Sequence, residues 1–159
     1  MAESNRIVLG MSGGVDSSTS AAILLDEGYE VEGVTCLFID DEKARAAASD
    51  AKKTCDRLGI SHRVLDCSSR FEDKVVSPFV HEYACGLTPS PCVGCNAQCK
   101  IPALIEIADL PGCQYVATGH YSRVEKLEST GRYAIRRASD TTKDQSYMLY
   151  RLDNNKISR

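Results

Sequence analysis

The segment Ile7-Val8-Leu9-Gly10-Met11-Ser12-Gly13-Gly14-Val15-Asp16-Ser17-Ser18 constrains the fold more than any other. A short apolar run passes through a Ser- and Gly-rich turn into a helical pattern. Two adjacent glycines lack Cβ atoms and can take positive φ, so successive backbone N–H groups can converge on a phosphate. The following helix adds its unsatisfied N–H groups and the positive end of its dipole. The hydroxyls of Ser12, Ser17 and Ser18 are further candidate donors. The segment has neither the lysine of a G-x-x-x-x-G-K-S/T loop nor G-x-G-x-x-G spacing, so it is a phosphate cradle of another kind.

The periodicity that follows repeats strand and helix. Arg6–Gly10 reads as a strand, Ser17–Glu27 as a helix closed by Gly28, Tyr29–Phe38 as a strand, Glu42–Leu58 as a helix closed by Gly59, and His62–Asp66 as a strand. Phe71–Ala84 reads as helical with an interruption at Pro78, Pro102–Asp109 as helical, and Tyr115–Thr118 as a fourth strand entering Gly119-His120. This alternation predicts an α/β fold with a doubly wound parallel sheet and ligands at the carboxyl ends of its strands, where Gly10–Ser18 and Gly119-His120 both fall. Tyr121–Glu128 and Arg132–Ala138 then read as an antiparallel hairpin turned at Ser129-Thr130-Gly131. The expected division is a nucleotide-binding domain over 1–120, then a hairpin and basic segment over 121–159. The polar end Asn154–Arg159 has no closing element, as in a chain cut before further domains.

A chain of 159 residues that is 43% apolar and 26% charged suits one soluble domain with its own core. Residues 1–6 are polar and lead directly into a strand, so no secretory leader, no membrane span and a cytoplasmic location are expected. In that setting eight cysteines imply thiols, metal ligands or catalysis before disulfides. Cys36, Cys67 and Cys113 lie in or beside apolar runs and read as small core residues. His62 and His81 read as structural or solvated, and His120 as a structural histidine or a phosphate-orienting one. The charge is uneven. Residues 120–159 carry nine Lys/Arg against five acids, while the first 119 carry ten against seventeen, so any polyanion is expected to meet the C-terminal portion.

The second constellation is Thr88-Pro89-Ser90-Pro91-Cys92-Val93-Gly94-Cys95-Asn96-Ala97-Gln98-Cys99-Lys100. Pro89 and Pro91 favour extended, irregular backbone, which predicts that the cysteines sit on an accessible loop. Three thiols at this spacing admit three readings: a nucleophile with a resolving partner, ligands of a metal or iron–sulfur site, or an accidental cluster.

The loop S-G-G-V-D-S-S resembles the PP-loop of ATP pyrophosphatases, which cleave ATP between the α and β phosphates. Together with T-P-S-P-C-V-G-C-N, Y-V-A-T-G-H-Y-S-R, G-R-Y and D-T-T-K-D-Q-S-Y-M-L-Y, in that order, it makes nearly the whole chain resemble the tRNA-specific 2-thiouridylase (MnmA) family. The resemblance implies that Gly10, Met11, Ser12, Gly13, Gly14, Val15, Asp16 and Ser17 hold ATP phosphates, that Cys36 meets the adenine through its backbone, and that Gly119 closes the pocket. It implies a catalytic role for Cys95, target-base contacts from Ser90, Pro91 and Cys92, and tRNA contacts from Lys143, Asp144 and Gln145. The substrates implied are ATP, with Mg²⁺, and a tRNA wobble uridine, with sulfur delivered by a persulfide donor protein. Cys92 and Cys99 depart from the family's usual pattern, so Cys92, Cys95 and Cys99 are also candidate iron–sulfur ligands, and the family's second catalytic cysteine is expected to lie beyond Arg159. The rivals are another PP-loop enzyme, either an iron–sulfur tRNA thiolase or an amide-forming synthetase, and a nucleotide- or tRNA-binding module without chemistry of its own.

Overall fold

The computed structural model describes residues 5–110, 112–113 and 115–159. The expectation of no leader rests partly on residues 1–4, which lie outside the described residues. The chain forms two compact units, one made of the residues up to Ser69 with Ala103–Gly119, the other of Arg70–Pro102 with His120–Arg159. The sequence division after residue 120 falls beside one of these boundaries. The helical segment Arg70–Pro102, however, groups with the hairpin portion and not with the sheet.

The first unit is a parallel sheet of β1 (Arg6–Gly10), β2 (Glu30–Leu37), β3 (Ser61–Asp66) and β4 (Tyr115–Thr118) in the order β3-β2-β1-β4. Alternation along the strands serves both faces. Leu9, Met11 and Val31 pack with α1 (Val15–Asp26) and α2 (Glu42–Leu58), whereas Val8 and Val34 pack with Leu104, Ile107 and Ala108 of α6 (Ile101–Asp109). The doubly wound parallel sheet read from the sequence is therefore present. Two glycines close helices as expected: Gly28 at φ +87 follows α1, and Gly59 at φ +71 follows α2. Gly33 lets α2 approach, since a Cβ there would lie 2.8 Å from the Cys55 Sγ.

The second unit holds two interrupted helical segments, a hairpin and a strap, residues 138–153. One helix runs through α3 (Ser68–Phe71), a π turn at Glu72–Val76 and α4 (Ser77–Ala84). The other begins with α5 (Pro91–Cys95) and widens into a π turn at Asn96–Lys100. Each π turn immediately precedes a proline-bearing segment, with Pro78 after the first and Pro102 after the second. A proline ring collides with the carbonyl four residues earlier, Lys74 or Gln98 here, and the wider turn relieves that collision without ending the helix. The interruption expected at Pro78 thus lies upstream of it. The hairpin pairs β5 (Ser122–Lys126) with β6 (Tyr133–Arg137) and turns through Gly131 at φ +68. The final residues do form an element, α7 (Asn154–Ile157), capped by the Asp153 carboxylate accepting from the Lys156 N–H at 3.0 Å.

No helix among the described residues is long and apolar enough to cross a membrane.

Candidate functional site

Register brings the first cluster together. Gly10 pairs with Val34 of β2 on one side and Thr118 of β4 on the other. The turn after β1 is therefore flanked by Cys36, two residues beyond Val34, and by Gly119, one beyond Thr118. These three sequence-distant segments meet at the carboxyl end of the sheet, where strand order reverses direction around β1 and ligands bind in open α/β sheets.

The turn is over-determined by its own hydrogen bonds. The Met11 N–H donates to the Val34 carbonyl at 2.8 Å, and the Met11 carbonyl accepts from the Thr35 hydroxyl at 2.9 Å. Thr35 has one hydroxyl proton and spends it on Met11, so the 2.8 Å contact with His62 is donated by the Nε2–H of a neutral imidazole. Burial, then the nearby Lys52, lowers the His62 pKa and favours that neutral form. His62 is thus structural, as read, with the added task of bracing the strand end.

Ser17 is 3% exposed and organises the turn from inside. Its hydroxyl accepts from the Ser12 N–H at 3.2 Å, meets the Ser12 hydroxyl at 3.1 Å and reaches the Gly14 carbonyl at 3.2 Å. The Ser18 hydroxyl donates to the same carbonyl at 2.9 Å. Ser17 and Ser18 therefore shape the loop, and Ser12 is the exposed hydroxyl of the three.

The two glycines also differ. Gly13 sits at φ +78, and a Cβ there would lie 2.4 Å from the Ala47 carbonyl oxygen of α2. Gly14 is the extended N-cap of α1 at φ −93, ψ 172, and a Cβ there would find only the Ser12 Oγ, at 3.5 Å. Only Gly13 requires the left-handed region. No side chain caps α1, so its first-turn N–H groups are available to an anion, and Asp16 supplies an exposed carboxylate on that turn. Gly119 is demanded by proximity, because its Cβ would fall 3.0 Å from the Ser17 backbone nitrogen. Val15, fully turned outward, and Gly10, against the Leu104 side chain, complete the segment. Ala47, whose carbonyl fixes Gly13, carries no sequence signal.

In the second unit, the cysteines do not lie on an accessible loop. Pro91 occupies the first turn of α5, where a missing N–H costs nothing, so the proline starts a helix instead of preventing one. Cys92 is exposed, Cys95 is 8% exposed and Cys99 is fully buried. Strung along eight residues of helix, about 10 Å end to end at the usual rise, the three do not converge. Among the described residues no three Cys, His, Asp or Glu side chains are placed to hold a metal ion. The donor set does not fit an iron–sulfur cluster, and that reading is withdrawn for Cys92, Cys95 and Cys99. All eight cysteines are thiols and not disulfides; Cys67 and Cys113 are buried as expected, and Cys36 is half-buried.

Ser90 and Pro91 line a groove of about 320 Å³ together with Lys74, Phe79, Glu82 and Arg151. Asn96 follows Cys95, is 2% exposed, and donates from Nδ2 to the Met148 carbonyl at 3.3 Å. This bond ties the thiol-bearing helix to the strap that contains Lys143-Asp144-Gln145. Within the strap, Asp144 accepts from the Ala138 N–H at 2.8 Å and the Ser146 hydroxyl at 2.7 Å, which hold its carboxyl below the usual carboxylate range. Gln145 exchanges two bonds with Tyr121, its Oε1 accepting from the Tyr121 N–H at 3.1 Å and its N–H donating to the Tyr121 carbonyl at 2.8 Å. Lys143 lies over the Tyr121 ring, 5.4 Å from its centroid. Asp144 and Gln145 thus brace the strap, and Lys143 is the member of the triplet whose charge is on offer. His120 is held neutral, its pKa lowered to about 4 by burial and then by Lys100.

Comparison with known proteins completes the description. The family described as the tRNA methyl transferase HUP domain matches residues 5–159. The chain is 44% identical over 168 residues to the tRNA-specific 2-thiouridylase MnmA of Pelotomaculum thermopropionicum, a match taking in 99% of this chain and 46% of that protein. It is 47% identical over 159 residues to the tRNA-specific 2-thiouridylase MnmA 2 of Thermoanaerobacter sp. strain X514, covering 93% of this chain and 44% of the relative. The chain therefore spans about half the length of the curated relatives it matches. Among solved structures, the U34-tRNA thiolase NcsA of Methanococcus maripaludis, determined with its 4Fe–4S cluster, aligns at TM-score 0.51 and 21% identity over 72% of this chain and 37% of its own. The NH3-dependent NAD synthetase of Campylobacter jejuni aligns at TM-score 0.51 and 20% identity over 72% of this chain and 47% of its own. Likenesses at that identity establish the fold alone, an α/β fold shared with these enzymes.

Proposed function

The chain belongs to the tRNA methyl transferase HUP domain family, and from that premise we propose that it is the ATP-using catalytic domain of a cytoplasmic tRNA 2-thiouridylase acting on the wobble uridine. One observation carries the reading. The turn Gly10–Ser17 is held in shape from inside by Ser17, with Gly13 pressed on Ala47 and the N-terminus of α1 uncapped. This is a rigid phosphate site in a chain whose relatives are named tRNA-specific 2-thiouridylases.

The chemistry follows from the electrophile. The C2 carbonyl of uracil has no leaving group, so its oxygen first attacks the α-phosphorus of ATP and pyrophosphate departs. The first-turn N–H groups of α1 and the Ser12 hydroxyl are placed to stabilise the departing charge. A bound Mg²⁺ would neutralise further phosphate charge, and Asp16 is the carboxylate of the turn suited to hold it. Sulfur then displaces AMP from C2. With sulfur carried as a persulfide on Cys95, received from a donor protein, the terminal sulfur attacks C2 and AMP leaves. A second thiol then attacks the Cys95 sulfur, forming a disulfide and leaving sulfur on the base. Cys92, exposed and one helical turn before Cys95, would make that second attack, whereas Cys99 is enclosed. Ser90, Pro91 and Cys92 flank the base. Lys143 and the arginines of the hairpin, Arg123, Arg132, Arg136 and Arg137, attract the RNA backbone.

Mass spectrometry of nucleosides from tRNA incubated with the protein, ATP and a persulfide donor tests the reading. Formation of 2-thiouridine that Cys95→Ser abolishes, with ATP binding retained, supports it. Thiolation undiminished in that variant refutes the role of Cys95, and its absence from the wild-type reaction counts against the activity.

A further inference from the structure

The groove beside α5 holds side chains that the reaction above does not use. Ser90 and Pro91 form one rim, Phe79 and Tyr150 supply aromatic rings, and Lys74 and Arg151 supply two cations against the single carboxylate of Glu82. Tyr150 is 69% exposed, an amphipathic ring left to solvent at the mouth of a concave, net-cationic site. The thiols are not in it: neither Cys92 nor Cys95 is among the lining residues. A base that reacts with sulfur must reach a thiol, so whatever fills this groove does not react there. Its volume of about 320 Å³ suits a single nucleotide and not a folded partner. The combination of a stacking ring, a cation for a phosphate and polar groups for base edges is the chemistry of single-stranded RNA recognition.

Resting on the tRNA reading above, we propose that this groove binds a non-reacting nucleotide immediately next to the target uridine, with its base on Tyr150 and its phosphate met by Arg151 and Lys74. Ser90 and Pro91 then lie between two adjacent nucleotides, one presented to Cys95 and its neighbour held in the groove. Holding the neighbour is what unstacks the target, because a loop base cannot be splayed out while both flanking bases stay stacked on it. Lys74 is engaged with Asp73 at 2.8 Å on the surface, a weak pair that a phosphate can displace. Glu82 can accept from a 2′-hydroxyl or a base N–H, a contact that DNA lacking the hydroxyl would offer less readily.

The test uses a 17-nucleotide anticodon stem–loop carrying 2-aminopurine on one side or the other of the target uridine, titrated with the wild-type chain and with Tyr150→Ala, Tyr150→Phe and Arg151→Ala. Thermal unfolding of each variant confirms that these exposed substitutions leave the fold intact. The expected result is fluorescence quenching at one flanking position, lost in Tyr150→Ala with roughly tenfold weaker binding and kept in Tyr150→Phe, since a phenyl face stacks as well. In Arg151→Ala the slope of log affinity against log salt should fall by about 0.7, one phosphate contact on a single strand. Wild-type binding and quenching in Tyr150→Ala would overturn the groove assignment and leave the tRNA reading standing. Failure of the wild-type chain to bind the stem–loop even at low salt would overturn both, and loss of binding to a protein partner with RNA affinity unchanged would assign the groove to that partner instead.

Discussion

Gly13 and Gly14 are chemically identical neighbours, and the structure assigns them different tolerances. In Gly13→Ala the new Cβ meets the Ala47 carbonyl oxygen at 2.4 Å, far inside van der Waals contact, and the residue is held at φ +78. The left-handed conformation costs an L-residue about 1–2 kcal/mol, and forcing α2 away from the turn adds about 1–3 kcal/mol. A loss of about 2–5 kcal/mol would lower the melting temperature by about 5–15 °C for a chain of this size. Gly14→Ala places its Cβ in open space with one neighbour at 3.5 Å and an ordinary φ of −93. Its stability should stay within about 0.5 kcal/mol of wild type. Thermal unfolding followed by circular dichroism, with ATP affinity measured by calorimetry, separates the two. Gly13→Ala should unfold early and lose ATP binding even well below its new midpoint, because the turn must move to relieve the clash. Gly14→Ala should fold normally and lose ATP affinity only to the extent that its methyl crowds the phosphate. Equal melting temperatures and equal ATP affinities for Gly13→Ala and wild type would refute the account of the cradle.

Further outcomes follow from the same geometry. Ser17→Ala removes the acceptor of the Ser12 N–H, while the Gly14 carbonyl keeps its bonds from Ser18; the change should cost about 1 kcal/mol and weaken ATP binding in calorimetry. Iodoacetamide should modify Cys85 and Cys92, both exposed, faster than Cys95 and Cys99, both buried, a ranking that peptide mass spectrometry reads directly. His120 has a folded pKa of about 4 against an ordinary 6.5, so its contribution to stability is complete above pH 6.5 and is lost as pH falls from 6.5 toward 4. Melting temperatures of wild type and His120→Gln across that range should show the extra loss in wild type alone.

Much of this arrangement is visible in the residues themselves. The strands Arg6–Gly10 and Tyr115–Thr118, the helix Glu42–Leu58 and the turn at Gly131 coincide with their sequence readings, because alternation, caps and glycine punctuation are local signals. The thiol segment differs from its sequence expectation because Pro91 carries two meanings. After Pro89 it suggests extended backbone, yet at the first turn of a helix it is favourable, and only the packing of Val93 and Cys99 decides between them. Asp144 and Gln145 illustrate a second limit. The family resemblance implies that they contact tRNA, and their bonds to Ala138, Ser146 and Tyr121, which no local pattern announces, depend on a hairpin that brings those residues alongside. The demand on Gly13 comes from Ala47, on another helix, and no local pattern could announce it.

The central claim is that ATP is opened at its α-phosphorus by a uridine oxygen. The most direct test is to incubate the protein with α-labelled ATP, a persulfide donor and either a tRNA with uridine at the wobble position or the same tRNA with cytidine there, then to quantify nucleotide products by chromatography and pyrophosphate by a coupled assay. The account predicts AMP and pyrophosphate in equal amounts, with label transiently on the RNA, and release that depends on the uridine. Formation of ADP and inorganic phosphate, or pyrophosphate release indifferent to the wobble base, would contradict it.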